Sequence, residues 1–132
     1  MPFRLEIGLK RGVRDPRGGG VVSRARDYLH LRLTSCVTRD IYKIDVQLSS
    51  KDLAKTRNAF TDGVIARSAW RRLTPPSFDW LIEVGFKPGV TDNVGRTARA
   101  VLEDILDRRL ARDEDVYTAI QYFLKGHLNA EQ

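Results

Sequence analysis

The sequence predicts an α+β fold made of two tandem copies of one strand–loop–helix module, packed against each other as a fused pseudo-dimer. Three observations predict it: a gapless internal repeat, apolar periods that switch between two and about four residues along each copy, and a proline-bearing break between the copies. The chain has 132 residues, 42% hydrophobic and 30% charged, a composition that folds rather than stays disordered. A unit of half that length buries its core only marginally by itself. Two halves that share a core are therefore favoured over two independent beads.

The repeat is read by laying residues 5–18 over 82–95 without a gap. Seven of the fourteen pairs are identical: Glu6/Glu83, Gly8/Gly85, Lys10/Lys87, Gly12/Gly89, Val13/Val90, Asp15/Asp92 and Gly18/Gly95. Background usage gives roughly one identity by chance. Leu5/Ile82, Ile7/Val84 and Leu9/Phe86 keep apolar character at alternate positions, as a strand with one buried face requires. Farther on the register shifts by three, so that Thr38, Tyr42, Leu48 and Ser49 fall on Thr118, Tyr122, Leu128 and Asn129. The second copy thus has a longer helix or turn. Two copies at so long a period suit a fused pair better than a solenoid.

In the first copy, Phe3 to Leu9 reads as a strand and Lys10 to Gly18 as a loop. A helix follows from about Gly20, with Val21, Ala25 and Leu29 at four-residue spacing. Cys36 to Leu48 alternates enough for one or two strands. Ser49, with Asp52 three residues on, is a capping signal, and a helix runs from Lys51 to about Phe60. A short strand around Val64 and Ile65 leads to Trp70. Pro75 and Pro76 can neither continue a helix nor donate to a central strand, which sets the boundaries at 1–73 for the first copy, 74–77 for a linker and 78–132 for the second. The second copy repeats the order: strand Phe78 to Phe86, loop Lys87 to Asn93, a helix striped by Val94, Ala98, Val101, Leu102, Ile105 and Leu106, and a strand Val116 to Leu124. Asn129 with Gln132 three residues later is another N-cap signal. The second copy is therefore expected to lack its final helix, and the 132 residues to be a piece of a longer polypeptide.

A net charge of +6 invites a nucleic-acid reading, but the basic residues are scattered among acids and the pairs Arg71-Arg72 and Arg108-Arg109 are far apart. That pattern reads as solvated faces. No apolar run approaches the roughly 18 residues that cross a bilayer and no signal-peptide core is visible, so the chain reads as cytoplasmic and not membrane-bound. Cys36 is the only cysteine, and with only His30 and His127 beside it there is no metal-ligand spacing; Cys36 reads as a buried, inert thiol and the histidines as surface or capping residues. No catalytic, cofactor-binding or metal residue is assigned. The candidate anion or partner contacts are the loops before the two helices: Lys10, Arg11, Arg14 and Asp15, and Lys87 and Asp92 with Arg96 just beyond. Cations beside a helix N-terminus can hold an anion. The simpler alternative gives Gly12 and Gly89 to a turn and Asp15 and Asp92 to caps. Gly18-Gly19-Gly20 lacks the phosphate-loop pattern and reads as a flexible start to the helix. Tyr42 and Tyr122, at equivalent strand positions, suit a half-buried sheet or a subunit contact.

The run from Leu5 to Gly18 resembles the start of the small PurS-type subunit of phosphoribosylformylglycinamidine synthase. Phe86 to Gly95 resembles that family's signature more closely, and Val116 to Tyr122 a later strand of large synthetase chains. The resemblance covers nearly the whole chain. It implies a β-α-β-β-α module, dimeric when free and here a covalent pair at the N-terminal end of a large synthetase. It also implies a parent enzyme that converts formylglycinamide ribonucleotide to its amidine in purine biosynthesis, using ATP, magnesium and glutamine-derived ammonia. The PurS-like part is then not the catalyst; its expected partners are the synthetase domain of the same chain and a glutaminase domain or subunit. ATP and magnesium sites would lie beyond Gln132. Arg11 in place of proline, and Pro16-Arg17 in place of Asn93-Val94, set the first copy apart from the second. The alternative is an RNA-binding ferredoxin-like module, suggested by charge and element order, but the aromatic strand motif of such modules is missing.

Overall fold

Alternation of Leu5 and Ile7 with Arg4 and Glu6 makes a strand that must present one apolar and one polar face, and the whole architecture follows that division. The computed structural model describes residues 2–85 and 93–126. In chain order these form β1 (Phe3–Leu9), α1 (Pro16–Leu29), β2 (Leu33–Asp45), α2 (Ser50–Phe60), β3 (Ala66–Trp70), β4 (Trp80–Gly85), α3 (Asn93–Leu106) and β5 (Asp115–Gly126). The strands make one five-stranded sheet in the order β3-β1-β2-β5-β4, antiparallel throughout. The α+β class is as expected.

The sheet register carries the sequence repeat into space. The six pairs of β1 with β2 recur in β4 with β5: Phe3↔Ile44 and Trp80↔Leu124, Leu5↔Tyr42 and Ile82↔Tyr122, through to Gly8↔Arg39 and Gly85↔Ala119. The central pair, β2 with β5, puts Thr38 opposite Tyr122, Tyr42 opposite Thr118, and Asp40 opposite Ile120 between them. Helices α1 and α3 both have 14 residues. The residues that follow them, His30 (φ 54°) and Asp107 (φ 53°), both take the left-handed conformation that ends many helices.

All three helices lie on one face. Within β2 the side chains of Cys36, Thr38, Asp40, Tyr42 and Ile44 share that face by the period of the pleat. Helix α1 sits on Cys36 and Thr38, and α2 places the Phe60 ring 4.9 Å from that of Tyr42. Helix α3 packs Ala98 and Leu102 with Ile44, Val46, Leu110 and Val116, while Leu5, Ile7 and Ala66 make a second cluster under Phe60 and Trp70. Complete burial of Leu5, Ile44 and Leu102 contributes about 1.5–3 kcal/mol for each side chain. The opposite face carries Arg4, Glu6, Arg39, Lys43, Glu83 and Gln121, and the segment after β3 crosses it, with Leu73 buried.

Several boundaries differ from the sequence expectation, each for a local reason. Helix α1 begins at Pro16 and not near Gly20, because the Asp15 side chain accepts from the Gly18 N–H at 2.9 Å and proline is pre-set for the first helical turn. The three glycines are inside the helix. Residues 33–45 form one 13-residue strand with no glycine or proline to divide it, so the first copy runs β-α-β-α-β and not β-α-β-β-α. The shift of three residues is taken up between α3 and β5, since the paired helices are equal in length. Strand β3 starts just after Val64 and Ile65 because the Asp62 carboxylate and carbonyl hold residues 64–66 in a turn. The capping box at Ser49 forms in both directions, Asp52 N–H to Ser49 Oγ at 3.1 Å and Ser49 N–H to Asp52 Oδ2 at 3.2 Å. The Asn129 cap, the His127 assignment and the loop with Lys87, Gly89 and Asp92 fall outside the described residues.

Candidate functional site

The first loop is built by its glycine and its acid. Gly12 has φ +86°, a conformation open to glycine and costly for other residues, and Val13 N–H returns to the Lys10 carbonyl at 3.0 Å. Lys10 is tied at both ends: its backbone N–H donates to Ile65 O at 2.8 Å and its ammonium to Gly63 O at 2.5 Å. That cation fastens the loop to the turn before β3. Arg11 and Arg14 are exposed.

Asp15 joins helix to sheet. Its carboxylate accepts from Gly18 N–H at 2.9 Å, from Thr38 N–H at 2.7 Å and from the Thr38 hydroxyl at 2.9 Å. The same hydroxyl accepts from Arg17 Nε at 3.0 Å, and Arg17 pairs with Asp40 at 3.0 Å. With those donors committed, the carboxylate caps α1 and anchors it to β2, the simpler of the two roles expected for this residue. In the second copy the positions of Arg17 and Asp40 hold Val94 and Ile120, so an ion pair at the sheet centre has an apolar pair as its counterpart. A cleft of about 280 Å³ between them is lined by Arg17, Asp40, Val84, Val94, Thr118 and Ile120 among others. Arg96 is exposed on α3. Tyr42 is half-buried under Phe60, and Tyr122 occupies the equivalent place on β5 beside Ile82.

Sequence reasoning missed the cluster on the opposite face. Arg4 bridges the two glutamates of the repeat, with Nε on Glu6 at 2.8 Å and Nη2 on Glu83 at 2.5 Å. Glu83 also accepts from Lys43 at 3.1 Å and Gln121 at 3.2 Å. Arg4 foremost, and then Lys43, hold the Glu83 carboxyl down to about 2. Glu6 is 4% exposed and receives Leu73 N–H at 2.9 Å. Arg39, 3% exposed, donates to Leu73 O at 2.8 Å and to Thr74 O, with its guanidinium 5.0 Å from the centre of the Phe123 ring. The connection between the copies is thereby clamped across the sheet. The identity of Glu6 and Glu83 was the available signal; the sequence could not show that one arginine would reach both.

No match was found among protein-family models, characterised proteins or solved structures.

The remaining reactive groups have structural surroundings. Burial, then the nearby Asp15 charge, pushes the Cys36 thiol up to about 11, so it is a poor nucleophile at neutral pH. His30 is an exposed helix cap. Among the described residues no group of three or more His, Cys, Asp or Glu could hold a metal, and no helix is long and apolar enough to cross a membrane. The exposed apolar side chains include those of β4, every residue of which is exposed, with Trp80 at 38%, Ile82 at 49% and Val84 at 57%.

Proposed function

We propose that this chain is a tandem PurS-like duplication folded as a pseudo-dimer, and that it serves as the non-catalytic N-terminal scaffold of phosphoribosylformylglycinamidine synthase. The observation that carries the reading is the register: the pairs of β1 with β2 recur in β4 with β5, and β2 meets β5 with Asp40 opposite Ile120 at the centre. Two equivalent strands meeting antiparallel about a central pair are what a module that dimerises through its sheet becomes when its copies are joined. The family resemblance of residues 5–18 and 86–95 supplies the enzyme.

On this reading the chain contributes binding surfaces and no chemistry. ATP and magnesium are used by the synthetase domain, ammonia is delivered by a glutaminase domain or subunit, and this region holds the two in register. The exposed side of β4 and the basic loop with Arg11 and Arg14 are the surfaces it offers.

The RNA-binding alternative needs aromatic rings open on a sheet face. Here Phe123 is covered by Phe78 at 5.2 Å and by Arg39, and β4 offers one exposed ring, Trp80, rather than a stacking cluster. Deletion of these residues from the parent synthetase should abolish glutamine-dependent amidine formation while ammonia-dependent turnover is retained in part. Unchanged glutamine-dependent turnover would refute the scaffold role, and micromolar RNA affinity that falls steeply with salt would favour the alternative.

A further inference from the structure

Equivalent residues in the two halves differ sharply in what covers them. Leu5 is 0% and Ile7 8% exposed, whereas their counterparts Ile82 and Val84 are 49% and 57% exposed. In the first half, Phe60 of α2 covers Leu5, Ile7 and Tyr42, and β3 pairs with the outer edge of β1 from Leu5↔Trp70 to Leu9↔Ala66. In the second half, no described residue pairs with the outer edge of β4. An apolar edge strand left open on both counts is an aggregation site unless something is meant to occupy it.

We infer that the open side of β4 is a docking surface for a helix–strand segment of the α2–β3 kind. The segment would be an amphipathic helix with an aromatic residue where α2 has Phe60, followed by a strand antiparallel to β4. The sheet register says where each part sits. The aromatic ring covers Tyr122 and Ile82 as Phe60 covers Tyr42 and Leu5, and the strand adds a sixth member beside β4.

The flanking helix adds a charge requirement. Ala59 and Phe60 of α2 line one open cleft with Val94, Thr97 and Val101 of α3. The repeat puts Arg17, Gly20 and Arg24 at those places in α1, and Arg24 is exposed. The occupant's helix should therefore carry a carboxylate where α2 has Ala59. This inference rests on the paired-module part of the proposed function and not on the enzyme named there.

In the repeat, Gln132 falls on Asp52, so a copy of residues 53–70 can be appended after Gln132 in register. Amide hydrogen exchange of Leu81 to Gly85 is the readout, with and without the extension. Exchange at β4 should slow at least tenfold, more so with Ala59→Glu in the appended copy and less with Ala59→Lys, and Phe60→Asp there should abolish the effect. A synthetic peptide of residues 49–70 added in trans should shift the methyl resonances of Ile82 and Val84. Unaltered β4 exchange in the extended chain together with unmoved methyl resonances would overturn the inference. So would concentration-dependent dimerisation of the unextended chain with β4 already protected, since the occupant would then be a second copy. A protected β4 in a chain that fails to support glutamine-dependent turnover would retire the enzyme and leave the docking surface standing.

Discussion

Adjacent glycines in α1 should respond to the same substitution with opposite sign. A methyl group placed on Gly18 would lie 2.1 Å from the Cys36 carbonyl oxygen and 3.0 Å from its carbon, whereas one on Gly19 would meet nothing within 4 Å. Alanine is favoured over glycine inside a helix by about 1 kcal/mol, so Gly19→Ala should stabilise the fold by about 0.5–1 kcal/mol. Gly18→Ala gains the same propensity but collides with backbone of β2, a strand paired on both sides that cannot yield. Overpacking of that kind costs about 1–3 kcal/mol or more, and moving α1 away would also stretch the Asp15 bonds to Thr38 at 2.7 and 2.9 Å. The expected net loss is about 1–2 kcal/mol, with the two variants separated by about 1.5–3 kcal/mol. Urea unfolding followed by far-ultraviolet circular dichroism reads this directly, with midpoints moving in opposite directions and, on heating, about 4 °C for each kcal/mol. Midpoints that move together, or a neutral Gly18→Ala, would show that the first turn of α1 does not touch β2.

Other perturbations follow from the same contacts. Asp15→Ala removes the cap on Gly18 and leaves the Thr38 N–H unpaired, for a loss of about 2–4 kcal/mol in unfolding free energy; a loss below 0.5 kcal/mol would discount the anchoring role. Glu83 and Glu114 are held down to about 2, by Arg4 and by Arg108 respectively. A depressed carboxyl stabilises fully above its ordinary pKa of 4.5 and loses that contribution as pH falls toward 2. Urea midpoints should therefore be flat from pH 7 to 5 and drop between pH 4.5 and 2, with a shallower drop in Glu83→Gln and in Glu114→Gln; an unchanged profile in both variants would contradict the pairing. At pH 8 in the folded protein, Cys36 should react with a thiol reagent at least tenfold more slowly than in urea, because its thiol is buried and pushed up to about 11; equal rates would place it at the surface.

The repeat made the fold legible because the same physics is written twice. Alternating Leu5, Ile7 and Leu9 specified a one-faced strand, and the striped Val94 to Leu106 specified a helix, without tertiary information. Ser49 with Asp52 marked a helix start to within a residue, as local hydrogen bonding allows. From propensity alone three glycines look like a loop, which puts the start of α1 too late. The decisive features were Asp15 and Pro16, and Gly18 is required by contact with Cys36, which is remote in sequence. Residues 33–45 are hard to divide for a similar reason: only the pairing with the neighbours β1 and β5, continuous with β5 from Ser35 to Asp45, reveals a single strand. At the candidate site, the bonds of Lys10 to Gly63 and Ile65 depend on where the turn after α2 comes to rest. No local pattern encodes that position.

The Arg4 bridge has a consequence for how two like halves can diverge. Its counterpart in the second half is Leu81, so a single guanidinium holds both Glu6 and Glu83. In an association of two identical chains, any side chain introduced on one is introduced on the other, and two arginines would converge on the same pair of carboxylates. Covalent joining lifts that constraint: one half can supply the cation while the other supplies an apolar residue. The same freedom allows Arg17 and Asp40 to stand opposite Val94 and Ile120, and lets β3 pair with the outer side of β1 while, among the described residues, the outer side of its counterpart β4 has no such strand.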